Sequence, residues 1–182
     1  SNAVKAFLTH GLVRMLRSLP VIGAWIDDLK MKPENRFKQG LMVPGENTTA
    51  LVRGSHFPQV LLRHAAGTSA WSDDALGDHL SLVGFGIDPA TLLSADDLSR
   101  WHALGGHCIQ LCYRGQALNR SVGKHVWEDI NGEMLPGLAP TGWLAVVRPD
   151  HSIITDGPSS EAAHLIEASI KLLCSPTPAH LT

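Results

Sequence analysis

The sequence predicts an α/β fold, a mixed sheet covered by helices and preceded by a helical arm. Three observations carry this: two β-leaning runs separated by a helical pattern, a polar turn between two apolar runs at Leu144–Ile154, and a closing amphipathic stretch. Taken in order, Val4, Phe7, Leu8, Leu12, Met15, Leu16 and Leu19 recur at helical spacing, with Lys5, Arg14 and Arg17 on the other side. Pro20 interrupts this helix. A second short pattern of Ile22, Trp25, Ile26 and Leu29 runs on until Pro33, where the missing N–H and the ring make continuation costly. Lys38–Ser55, rich in Gly, Asn, Thr and Pro, reads as connecting chain or loose strand.

Strands follow at Phe57–Leu62 and Leu80–Phe85. Leu92–Leu104 reads as a helix capped by Ser94, with Asp96 and Asp97 in its first turn and Gly105-Gly106 ending it. His107–Tyr113 is a further strand. The opening of the hairpin, Leu144–Val147, should pair antiparallel with Ile153-Ile154 through Arg148-Pro149-Asp150; Val146 and Ile153 are expected in the core, with Pro149 fixing the turn and Asp150 tolerating its backbone geometry. A last helix begins near Pro158-Ser159-Ser160-Glu161 and turns Leu165, Ile166, Ile170 and Leu173 inward. A strand, helix, strand unit implies a right-handed crossover and parallel pairing, so the sheet is mixed. That layout is thioredoxin-like.

At 182 residues the chain suits one domain with a short appendage. A net charge of −2 with scattered Lys and Arg offers no field for a phosphate backbone, so nucleic acid is not an expected partner. No apolar run approaches the roughly 20 residues that span a bilayer, and no secretory leader opens the chain, so no membrane contact and a cytoplasmic location are expected. Three cysteines, an odd number, suit a reducing compartment. Ser1-Asn2-Ala3 has the look of a tag remnant.

The chemical motifs are sparse. Redox chemistry on this layout needs two cysteines, two residues apart, at a helix N-terminus where the dipole lowers a thiol pKa. After Val83-Gly84-Phe85-Gly86 the sequence instead reads Ile87-Asp88-Pro89-Ala90-Thr91. Cys108 and Cys112, four apart on one strand, stand roughly 13 Å apart, beyond disulfide reach, and both are expected as buried core thiols, with Cys174 at a helix end. His102, His107, Cys108 and Cys112 do not converge as a zinc site, because positions 107 and 108 face opposite ways and His102 lies on the preceding helix. The histidines at 10, 64, 79, 125, 151, 164 and 180 read as single, solvated side chains. Gly84-Phe85-Gly86 carries Pro89 where a dinucleotide fingerprint needs glycine, so it reads as a turn, and Asp73-Asp74 reads as loop or helix start. No catalytic, cofactor-binding or metal-ligating residue is assigned.

Several segments in a fixed order point further. Asp28-Leu29-Lys30-Met31-Lys32-Pro33 with Arg36-Phe37 and Gly40, then Pro58-Gln59-Val60, then Asp73-Asp74-Ala75-Leu76-Gly77 with Leu80, Leu82 and Gly84, and finally Trp143 to Asp150, together resemble the C-terminal region of the FAD-dependent aromatic-ring hydroxylases related to 3-(3-hydroxyphenyl)propionate hydroxylase and phenol monooxygenase. The resemblance runs from about Ile22 to Ile154. His79 departs from it, standing where that family usually carries an aromatic or small residue. In the family a flavin-binding body comes first and a thioredoxin-like domain without redox cysteines closes the chain. The resemblance thus implies a non-catalytic structural or oligomerisation domain of a flavoprotein monooxygenase, inactive alone, with FAD and NAD(P)H used by the parent protein. The implied partners are the N-terminal flavin-binding body and a second copy in a homodimer; the alternative is a stand-alone protein-interaction module. The expected organisation is a tag remnant at 1–3, a helical arm or linker at 4–40 and the thioredoxin-like domain at 41–182. Phe7, Leu12, Leu16 and Trp25 on the arm are the expected interface.

Overall fold

The computed structural model describes residues 42–46, 48–117 and 125–174. The arm, with Phe7, Leu12, Leu16 and Trp25, and the histidines at 10 and 180 lie outside the described residues. In chain order come β1 (Leu61–His64), β2 (Ser69–Trp71), α1 (Ser72–Leu76), β3 (Leu80–Phe85), a 3-10 turn (Pro89–Leu92), α2 (Ala95–Ala103) and β4 (Gly106–Tyr113). They are followed by β5 (Val126–Asp129), β6 (Trp143–Val147), β7 (Ile153–Pro158), a second 3-10 turn (Ser159–Glu161) and α3 (Ala162–Cys174). Among the described residues one sheet holds seven strands, in the order β2-β1-β5-β4-β3-β6-β7.

The mixed pairing follows from the connections. Strands β3 and β4, joined through α2, run parallel, and β5 continues the parallel set beside β4. Strands β6 and β7 are antiparallel to their neighbours, with Val147 opposite Ile153 as the sequence predicts. A βαβ unit followed by an antiparallel hairpin and a terminal helix is the thioredoxin-like arrangement. Central strand β3 is buried at all six positions, which an apolar run covered on both faces requires. Leu80, Leu82, Leu144, Val146 and Ile154 pack with Trp101, Leu165 and Ile166 under α2 and α3. Val83, Phe85, Ala145, Val147 and Ile153 pack on the opposite face with Phe57, Leu76, Ile109 and Leu111.

Helix α2 begins and ends where its signals stand. Ser94 Oγ accepts the Asp97 amide at 3.1 Å, and Gly105, at φ +74°, donates its amide to the His102 carbonyl at 2.9 Å. Four expectations need correction. The first strand starts at Leu61, not Phe57, because Pro58 has no N–H for a ladder; instead buried Ser72 donates its hydroxyl to the Pro58 carbonyl and accepts the Val60 amide. Strands β2 and β5 are additional. In the hairpin the left-handed residue is His151, at φ +62°, while Asp150 closes the turn by accepting the Ser152 amide. Cys112 is buried as expected, but Cys108 is only half-buried.

Candidate functional site

The carboxyl end of β3 is where a thioredoxin-like oxidoreductase would place its thiols. Here Gly86 donates its amide to the Leu111 carbonyl at 2.7 Å, and Asp88 caps the 3-10 turn by accepting the Ala90 amide at 3.0 Å. The glycines close this corner rather than cradle a phosphate: a Cβ at Gly84 would meet the Ile87 carbonyl oxygen at 2.3 Å, and one at Gly86 would meet the Thr141 methyl at 2.8 Å. Both approaches are occupied by the protein itself. Cys108, on the neighbouring strand, has its thiol pushed up to about 12, mainly by burial and further by the carboxylate of Asp88. It stays protonated at neutral pH and is a poor nucleophile.

Beside this corner a cavity of about 430 Å³ lies between the 3-10 turn, α2 and β4, lined by Asp88, Leu98, His102, Cys108 and Gln110 among others. Gln110 is 5% exposed, and its Nε2 has no hydrogen-bond partner among the described residues. On the other face of the sheet, beside Ile109 and α1, the histidines are not single. His79 stacks on His107 with ring centroids 4.1 Å apart, and His125 meets His107 edge-on at 5.5 Å. Burial, reinforced by His79, His125 and His102, holds the His107 ring below its ordinary value of 6.5.

A second group forms at the opposite end of β3, where the β6–β7 turn, α1 and the segment before β1 meet. His56, Asp73 and His151 bring one ligand atom each to within 4.8 Å of one another. Sequence reading missed both groups. His79 and His107 meet through the β3–β4 pairing, in which Ser81 stands opposite His107, and His56 meets His151 through the bridge between His56 and Ser152. The sequence signal for the second group was limited to Asp73-Asp74 at a helix start, which the first turn of α1 bears out.

Comparison with known proteins follows the same fold. A family model described as the HcaD C-terminal domain matches residues 54–172. The chain is 28% identical over 155 residues to 3-(3-hydroxy-phenyl)propionate/3-hydroxycinnamic acid hydroxylase 2 of Burkholderia vietnamiensis, an alignment covering 81% of this chain and 28% of that protein. A hydroxylase of the same description from Klebsiella pneumoniae is 29% identical over 102 residues, covering 56% of this chain and 18% of its own length. The chain therefore spans less than a third of the length of these relatives. Among solved structures, the flavin-dependent monooxygenase PieE, in complex with FAD and substrate, superposes with a TM-score of 0.57 at 17% identity, over 78% of this chain and 25% of that one. Aklavinone-11 hydroxylase, in a ternary complex with FAD and aklavinone, gives 0.51 at 18% identity, over 79% and 28%. At such identities the likeness is one of fold.

Proposed function

Because the chain belongs to the HcaD C-terminal domain family, we propose that it is the thioredoxin-like C-terminal domain of a flavin-dependent monooxygenase that hydroxylates aromatic rings, and that its role there is architectural. On this reading FAD and NAD(P)H are bound by an N-terminal body, and the arm carrying Phe7, Leu12, Leu16 and Trp25 joins the two or pairs copies of the protein. The observation that carries the architectural role is the corner after β3. It offers Gly86-Ile87-Asp88-Pro89 where thiol chemistry needs cysteines, and the one thiol beside it, Cys108, stays protonated. The glycines of this corner do not form an open cradle either, since Gly84 and Gly86 are backed by Ile87 and Thr141. No step of hydroxylation runs through this chain's side chains, and the difficult chemistry belongs to the cofactor.

The test is direct. The purified 182-residue chain should be colourless, should oxidise no NAD(P)H in the presence of a hydroxyphenyl propionate, and should reduce neither disulfide nor peroxide. In the full-length protein, removal of residues 41–182 should leave flavin bound while lowering the melting temperature or changing the oligomeric state. A yellow, hydroxylating 182-residue chain overturns the proposal.

A further inference from the structure

The geometry points to a binding site for one divalent transition-metal ion, zinc in character, formed by His56, Asp73 and His151. This goes beyond the architectural reading and does not depend on it. The three side chains come from three separate segments, and their ligand atoms lie within 4.8 Å of one another. The protonation pattern gives the group its meaning. Nε2 of His151 lies 3.2 Å from the Gly77 carbonyl oxygen, which can only accept, so Nε2 carries the hydrogen and Nδ1 is the ring atom left to act as a ligand. That nitrogen faces Asp73 Oδ1 at 3.9 Å, a buried oxygen that accepts no hydrogen bond among the described residues. The gap is too long for a hydrogen bond, so neither atom is engaged by the other.

A cation bridging them resolves the arrangement. Zinc takes imidazole nitrogen and carboxylate oxygen at about 2.0–2.2 Å each, so two such ligands stand about 3.4 Å apart in a tetrahedron, within a small side-chain adjustment of the observed gap. The remaining atoms behave as outer partners that orient ligands. Asp73 Oδ2 accepts the Gln59 Nε2 hydrogen at 2.9 Å. The Nδ1 of His56 lies 3.2 Å from the Phe57 carbonyl and donates to it, which leaves Nε2 of that ring as the ligand. Each of the three ligands thus has its other polar atom engaged. Backbone bonds fix the pair of rings: the Phe57 amide donates to the His151 carbonyl at 2.7 Å, and the His151 amide donates to that of Arg148 at 2.8 Å. With two nitrogens to one oxygen the set suits zinc, cobalt, nickel or copper rather than magnesium or calcium. Because His56 is exposed, water completes the coordination.

The experiment uses the whole chain, stripped with a chelator and titrated with zinc by calorimetry and with cobalt by visible absorbance. One saturable equivalent is expected, with a cobalt d–d spectrum and a zinc-dependent rise in melting temperature; magnesium should produce neither. Asp73→Asn and His151→Ala should each weaken binding by about tenfold or more, and Gln59→Ala, which spares all three ligands, should weaken it more modestly. His79→Ala, in the other histidine group, should leave the affinity unchanged. Melting of each metal-free variant separates loss of the site from loss of the fold. Absence of saturable binding, affinity unaltered in folded Asp73→Asn, or loss of binding in His79→Ala instead would overturn the site.

Discussion

Glu128 and His107 both hold their native protonation against water, by different means. The Glu128 carboxylate is 1% exposed; burial alone would push its pKa up, but the Arg63 guanidinium and the amides of Ala117 and Gly115 outweigh that and hold it below its ordinary 4.5. His107 is held below 6.5 by burial and the rings around it. For both groups the unfolded chain therefore binds protons at a higher pH than the native one, so their contribution is fully present above the unfolded values and is lost as pH falls through the native ones. The melting temperature should be level in mildly alkaline buffer and fall in two stages, below about 6.5 and then below about 4.5. His107→Gln should remove the first stage; a calorimetric pH profile that superimposes on the parent's would refute the assignment. Asp129 is also buried, 1% exposed, and accepts the amides of Gly132, Glu133, Met134 and Leu135, and so folds the loop that leads to β6.

At the scale of elements, what the sequence disguised was polar. Strand β5 reads Val-Trp-Glu-Asp, and two carboxylates in four residues conceal a strand whose charges are met by Arg63 from β1 and by the following loop. Strand β2 is three residues of Ser, Ala and Trp, too short for any alternation to show. By contrast β3, β4, β6 and α2 were legible, since continuous apolar runs and a capped helix are local signals. The packing of α2 on β4 turns on one small residue: a Cβ at Gly106 would lie 2.5 Å from the Trp101 ring, which is fully buried and donates its indole N–H to the His107 carbonyl at 3.1 Å. Gly106→Ala should therefore destabilise the domain by about 1–3 kcal/mol through overpacking, read as a lower urea midpoint at unchanged slope.

At the scale of the whole molecule, the described residues form a thioredoxin-like sheet whose thiols are set apart. Cys112 is sealed in β4, Cys108 is half-buried with a raised pKa, and Cys174 is exposed at the end of α3. Of these three, Cys174 should react with an aromatic disulfide reagent at the rate of a free thiol, Cys108 orders of magnitude more slowly, and Cys112 only on unfolding; fast labelling at Cys108 would restore thiol chemistry as a reading. No helix among the described residues is long and apolar enough to cross a membrane. The sequence by itself determined the βαβ unit, the hairpin pairing of Val147 with Ile153, the missing cysteine pair after β3 and the ordered segments of the family, because each depends on neighbours along the chain. Only the tertiary structure decided that His56, Asp73 and His151 share one point, that His79 stacks on His107, and that buried Glu128 and Asp129 belong in a strand. Those facts rest on side chains brought together from distant segments, and burial makes their partners obligatory in a way that spacing along the chain cannot reveal.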